Sequence, residues 1–173
     1  MAEIAALEIR RLETRDPLAI SSAFTAMGWN KPAAQYERYL REQAAGERVV
    51  LLAFVEGEFA GYLCVVWEPG YPPFRDAGIP EIQDFNVVAR YRRQGIGSAL
   101  MEEAERFAAE RSPVVGIGVG MTADYGAAQR LYVRRGYVPD GRGLTADNRP
   151  LAWGDQVTVD DNLVLHFTKR INN

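Results

Sequence analysis

The sequence predicts a mixed α/β fold, a sheet with helices on its faces, in the order β-α-α-β-β-β-α-β-α-β-β. Two stretches carry this expectation. Residues 82–88 form an apolar, β-branched run that feeds a basic glycine turn, Arg90-Tyr91-Arg92-Arg93-Gln94-Gly95-Ile96-Gly97, and then an amphipathic helix. Residues 49–55 and 59–67 are two apolar runs joined by Glu56-Gly57-Glu58, the pattern of a β-hairpin.

The remaining elements follow from local signals. Residues 6–12 alternate well enough for a first strand, with Leu7, Ile9 and Leu12 apolar. Asp16-Pro17 starts a helix with an N-cap acid and proline at N1, ending at Gly28. Lys31-Pro32 opens a second helix, whose Tyr36, Tyr39 and Leu40 share a face before Gly46 stops it. Residues 70–80 read as a loop stiffened by prolines and carrying Tyr71 and Phe74. In the helix after the basic turn, Ile96, Leu100, Met101, Ala104, Phe107 and Ala108 share one face while Glu102, Glu103 and Glu110 face water. Residues 114–119 form a strand whose Gly116 and Gly118 suggest close approach by a backbone or ligand. Residues 127–135 form a short helix, Tyr137-Val138 begins a strand, residues 139–143 form a turn and residues 162–168 the last strand, while residues 145–160 fit no element.

A length of 173 residues suits a single domain, 1–173, with one core. A net charge of -3 argues against a nucleic-acid binder, so the arginines of the glycine turn are a local feature of an acidic chain. Cys64 and His166 are the only cysteine and histidine, which excludes an internal disulfide and any His-rich or cysteine-based metal site. No basic-then-apolar leader and no membrane-length apolar run is present, so the expected location is cytoplasmic.

A strand entering a glycine turn that opens a helix makes an anion cradle. The first helical turn has backbone N–H groups without internal partners and partial positive charge from the macrodipole. Gly95 and Gly97 allow close approach, and Arg92 and Arg93 add charge, which suits a pyrophosphate. A phosphate-binding loop of the Walker type needs Lys-Ser/Thr after the second glycine, where Ser98-Ala99 stands. A dinucleotide fingerprint needs a third glycine where Leu100 stands. The pattern present is Arg92-Arg93-Gln94-Gly95-Ile96-Gly97 directly after an apolar strand. It resembles the pyrophosphate loop of the GNAT superfamily of acyl-CoA-dependent N-acetyltransferases. A second motif of that family, closing its second core helix, is matched by Ala128-Gln129-Arg130-Leu131-Tyr132-Val133-Arg134-Arg135-Gly136-Tyr137.

The resemblance covers nearly the whole chain. It implies a mostly antiparallel, twisted sheet of about seven strands with four flanking helices, splayed between two central parallel strands. It implies acetyl-CoA as acetyl donor, without metal, held by Arg92, Arg93, Gln94, Gly95, Ile96, Gly97 and Ser98 and, along the splayed strand, by the backbone of Phe85, Asn86, Val87 and Val88. The Val87 N–H would face the thioester oxygen. Tyr132 would protonate the thiolate, as a phenol with a pKa near 10 can at neutral pH, although helix position alone would make it a core tyrosine. Glu81 stands where several members place a base, and Asp84 would point to the opposite face if the strand is regular; either would act directly or through water, and many members work without a dedicated base. Asp124, Gly126 and Ala128 fall in the remaining cofactor region. There the sequence departs from the family, with Tyr125 where an asparagine is frequent.

The resemblance implies an amine as acceptor. A small molecule is the first expectation and a protein N-terminus or lysine the second. Trp29, Trp67, Tyr71, Phe74 and Trp153 are candidates to line its site, and Asp147, Asp155, Asp160 and Asp161 would suit a cation or simply form a solvated face. A non-catalytic acyl-CoA-binding module on the same fold, and a nucleotide-binding fold, are the readings of other classes. A homodimer would be in keeping with the family.

Overall fold

A computed structural model describes residues 6–171. The elements are β1 (Leu7–Arg11), α1 (Pro17–Thr25), α2 (Ala33–Ala44), β2 (Arg48–Val55), β3 (Glu58–Val66), α3 (Pro72–Asp76), β4 (Glu81–Val87), α4 (Ile96–Ala109), β5 (Val114–Gly120), α5 (Gly126–Arg134), β6 (Val138–Ala146), β7 (Arg149–Pro150) and β8 (Leu163–Arg170). The strands lie in one sheet in the order β1-β2-β3-β4-β5-β8-β6-β7. The chain forms two compact units, one from the segment up to Val66 with Asp84–Phe107, the other from Trp67–Gln83 with the segment from Ala108.

In the first unit the β2–β3 hairpin turns at Glu56 (φ 51°) and Gly57 (φ 81°), the left-handed pair that a two-residue turn needs. Strand alternation then sends Val50, Leu52, Tyr62, Cys64 and Val66 to one face. Ile20 and Phe24 of α1 and Tyr36 and Tyr39 of α2 close over that face in one buried cluster. Val49, Leu51, Leu63 and Val65 on the opposite face are equally buried, so both strands read as continuous apolar runs.

In the second unit β5 pairs antiparallel with β8 along its whole length, from Val114↔Arg170 to Gly120↔Val164. The parallel β4–β5 ladder holds two register pairs, Glu81↔Gly116 and Ile82↔Ile117.

Three local readings change. Residues 70–80 contain a helical turn, α3, because Pro72 and Pro73 occupy the first helical positions, where their missing N–H groups are no loss. The expected turn at 139–143 is an irregularity inside β6, whose register against β8 shifts between Pro139 and Leu144 as Gly141 and Gly143 take φ 80° and 78°. Of residues 145–160, Thr145 and Ala146 end β6 and turn through Asp147 (φ 50°) and Asn148 (φ 61°) into β7. These are eight strands and five helices among the described residues, against seven and four expected.

Candidate active site

The basic turn lies in the first unit. After the Val88 N–H bonds Ala60 O at 2.9 Å, the chain makes a 3₁₀ turn at Ala89–Tyr91. Arg93 (φ 61°) and Gly95 (φ 86°) then swing it into α4. Ile96, only 1% exposed, anchors the helix start. The Ala99 N–H bonds Gly95 O at 3.0 Å, so the amides of Ile96, Gly97 and Ser98 precede the intrahelical ladder. No acid stands in the first turn of α4 to neutralise its positive pole. Arg92 Nε donates to Val87 O at 3.0 Å and Gln94 Nε2 to Arg90 O at 2.8 Å, so these two side chains brace the loop. Exposed arginines, free first-turn amides and a glycine at positive φ fit an anionic group.

Upstream, Asp84 adopts φ 50°, so β4 is not regular there and strict alternation from Glu81 does not apply. Its carboxylate is saturated. Oδ1 accepts from Lys31 Nζ at 2.8 Å and Asn86 Nδ2 at 3.0 Å. Oδ2 accepts from Gln35 Nε2 at 3.1 Å, the Tyr39 hydroxyl at 3.1 Å and the Tyr62 hydroxyl. Burial and the adjacent Asp84 charge push the Tyr62 phenol far above its ordinary value, so it stays a donor. Asn86 turns its amide back to Asp84, which leaves backbone as what residues 85–87 offer a ligand. Gly61 underlies the irregular strand, since a Cβ there would sit 2.5 Å from Asn86 O. Phe85 and Val87 are half-buried and Val88 is buried.

Glu81 belongs to the second unit and is 6% exposed. Oε2 accepts from Gln83 Nε2 at 2.7 Å, and Oε1 lies 3.8 Å from His166 Nε2. Burial pushes its carboxyl from 4.5 up to about 7, the Gln83 bond opposing. His166, on β8, is 2% exposed and stacks flat on Tyr71, with ring centroids 3.6 Å apart and planes 3° apart. Its Nδ1 lies 3.5 Å from Thr145 Oγ1. Burial lowers the imidazole from 6.5 to about 4, against the pull of Asp140. Tyr71 in turn donates to Asp140 Oδ2 at 2.7 Å. Sequence reasoning passed over His166 as a site residue, although a lone histidine in an apolar strand was the available signal. The strand glycines make room for this cluster: a Cβ on Gly116 would overlap the Phe74 ring, and one on Gly118 would meet Val164 at 2.7 Å and His166 at 3.4 Å. Side chains approach these two positions.

The pair sets opposing pH slopes. The Glu81 contribution to stability is present below 4.5 and lost as pH rises through about 7. The His166 contribution is present above 6.5 and lost as pH falls through about 4. Removing one group exposes the other. Glu81→Gln is expected to gain stability from pH 4 to 6.5, and His166→Gln to lose it from pH 4.5 to 7. Each change is on the order of 3 kcal/mol. Urea midpoints against pH check this, and parallel curves for the two variants would refute it.

Tyr132 lies on α5, 4% exposed, and no described residue hydrogen-bonds its hydroxyl. Burial raises its phenol above the ordinary value, which keeps the proton on at neutral pH. Asp124 is exposed and accepts from the Thr122 hydroxyl, while Gly126 and Ala128 are half-buried. Tyr125 lays its ring where a Gly120 side chain would be and donates to Asp161 Oδ1 at 2.8 Å.

The candidate acceptor residues are mixed. Phe74 and Tyr71 are buried, Trp29 stacks on Phe24 at 5.8 Å and Trp67 lies 4.0 Å beneath Arg111. Trp153 is fully exposed. Asp155 and Asp160 bond the backbone N–H groups of Ala152 (2.7 Å) and Asn162 (2.9 Å). Among the described residues, no group of three or more His, Cys, Asp or Glu side chains could hold a metal, and no helix is long and apolar enough to cross a membrane.

Known structures share this fold. An acetyltransferase of the GNAT family from Streptococcus pneumoniae is 22% identical, with a TM-score of 0.69 over 96% of this chain and 99% of its own. A ribosomal-protein-alanine N-acetyltransferase from Brucella melitensis is 21% identical, with a TM-score of 0.68 over 94% and 99%. A Salmonella typhimurium structure solved with its cofactor acetyl-CoA is 18% identical, with a TM-score of 0.67 over 96% and 95%. No curated protein matches the sequence. The model of the Acetyltransferase (GNAT) family matches residues 8–137 and crosses both compact units, and the chain belongs to that family.

Proposed function

We propose that the chain is one N-acetyltransferase domain that moves an acetyl group from acetyl-CoA to a primary amine by direct attack in a ternary complex in the cytoplasm. The observation that carries this is the basic glycine turn opening α4, with free first-turn amides and no acid beside them. Acetyl-CoA, when bound, supplies an activated thioester. Arg92, Arg93 and residues 94–98 hold its pyrophosphate, and the backbone of residues 85–88 takes the pantetheine arm as an added strand would. The Val87 N–H polarises the carbonyl, a contribution of roughly 3–4 kcal/mol for such a donor.

An alkylammonium must lose one proton before it attacks and a second as the amide forms. Glu81 accepts the first, since a carboxyl near 7 is partly ionised at neutral pH. Asp84 has its acceptor sites filled by five donors, which favours Glu81 of the two carboxylates. Tyr132 gives its proton to the departing thiolate and regains one from the nitrogen. One proton in all goes to solvent.

The acceptor we favour is a small-molecule amine. The Brucella melitensis neighbour, named for a ribosomal-protein alanine, supports a protein N-terminus as the second reading. Calorimetric titration with acetyl-CoA is the test, followed by thiol release with spermidine and with an alanine-terminated peptide. Saturable binding is expected, and at least a hundredfold loss of affinity in Gly95→Glu, where φ is 86° and a carboxylate would enter the cradle. Unchanged affinity in that variant would remove the cradle. Binding with no turnover on any amine would point to a non-catalytic acyl-CoA-binding module.

A further inference from the structure

We propose that His166 is a positioning residue for Glu81: it takes up the proton that Glu81 draws from the acceptor ammonium and so returns Glu81 to the carboxylate form. The proposal rests on the reading of Glu81 as base, and it adds a group to which no role has been given.

The geometry sets the pair apart from its surroundings. His166 Nε2 lies 3.8 Å from Glu81 Oε1, and both side chains are nearly closed to solvent, at 2% and 8%. Hydrogen-bond contact is about 3 Å, so a shift of about 1 Å joins them. The other Glu81 oxygen is held by Gln83, which fixes Oε1 on the histidine side. The second ring nitrogen, Nδ1, faces the Thr145 hydroxyl, whose Oγ1 is 3.4 Å from Val164 O. A threonine that donates to that carbonyl accepts from Nδ1–H, which leaves the Nε2 lone pair toward Glu81.

What surrounds the ring suits a transient imidazolium. Tyr71 covers one face at 3.6 Å, and Phe74 meets it edge-on at 5.4 Å. The Tyr71 hydroxyl donates to Asp140, which enriches the tyrosine ring and brings a carboxylate within electrostatic range. The groups facing the pair are thus Gln83 on β4, Tyr71 and Phe74 at α3, Asp140 and Thr145 on β6 and Gly118 on β5, with Arg142 acting on Tyr71. Burial opposes the charged ring, so the proton stays there only briefly.

The step balances. The ammonium N–H bond breaks as the Glu81 O–H bond forms, and the O–H then breaks as Nε2–H forms. The imidazolium releases its proton to solvent after transfer.

His166 is the only histidine, so its ring signals can be followed without assignment in protein labelled with ¹³C-histidine. An inflection in those shifts near pH 7, absent in Glu81→Gln, is expected. A flat response through that range, or the same inflection in Glu81→Gln, would overturn the pair. In the thiol-release assay, His166→Gln is expected to lower kcat at least tenfold below pH 7, where Glu81 starts protonated, and less above it, with KM for acetyl-CoA unchanged. A uniform loss across pH would mark a merely structural role, and no loss would end the proposal. The NMR arm needs neither acetyl-CoA nor an amine, so its failure overturns the relay and leaves the transferase reading standing. An enzyme that does not bind acetyl-CoA sinks that reading and the relay with it, whatever the NMR arm shows of the coupled pair.

Discussion

Tyr132→Phe is expected to lower kcat by roughly 10²–10³-fold while the Kd for acetyl-CoA stays within about twofold of the parent. The change removes one oxygen from a buried ring and leaves the ring in place beside Tyr137, at 6.1 Å between centroids. Because no described residue bonds that hydroxyl, its loss strands no partner and the fold has little reason to respond. A drop in kcat with unchanged melting temperature therefore isolates the proton donor. Burial holds the phenol protonated throughout the neutral range, so the parent rate carries no alkaline limb from Tyr132 below about pH 10. Equal turnover by the variant would remove the assigned role, and the motif around the tyrosine would then be a packing device.

Asp84→Ala is expected to cost about 3–4 kcal/mol of stability, measured as the shift in urea unfolding free energy. Two effects add. The Lys31 ammonium, 17% exposed and 5.4 Å from the centroids of both the Phe24 and Tyr62 rings, loses its counter-charge. The Tyr39 and Tyr62 hydroxyls and the Gln35 amide lose their acceptor at the same stroke. Alanine also tolerates the φ of 50° less well than aspartate, a strain of about 1 kcal/mol. Asp84→Asn keeps the backbone preference and one acceptor oxygen, and about half the loss is expected. If the alanine variant were as stable as the parent, the cluster would be an ornament on an already fixed strand.

The polar cluster was the least legible part of the site. Lys31, Gln35, Tyr39, Tyr62 and Asp84 come from three separate stretches, in and just before α2, in β3 and in β4, and each alone reads as an ordinary surface or core residue. Lys31 was legible only as the residue before a helix-opening proline. Asp84 was legible as a strand-end carboxylate, yet alternation failed it, because alternation holds only while every residue keeps strand dihedrals and Asp84 does not. His166 is the parallel case in the second unit. The sequence shows a histidine in an apolar strand, and only the sheet order, which sets β8 against β5, puts Gly118 opposite it. The α3 turn and the β6–β7 turn are hidden in the sequence for a smaller reason: Pro72-Pro73 and Asp147-Asn148 sit inside longer stretches without helical or strand periodicity.

By itself the sequence determined what depends on neighbours within a few residues. It set the β2–β3 hairpin from Glu56-Gly57, the amphipathic face of α4, the basic glycine turn that opens that helix and the tyrosine-bearing motif of α5. These are local because turn dihedrals, helical periodicity and unpaired first-turn amides are fixed by chain geometry over one or two turns. Only the tertiary structure decided which carboxylate is held and which is raised. Asp84 became a saturated anchor when Lys31, α2 and β3 closed on it, and Glu81 became a weak acid when burial left it Gln83 and His166 as its neighbours. Proton affinity depends on desolvation and on charges within a few ångströms, and neither exists until distant segments meet.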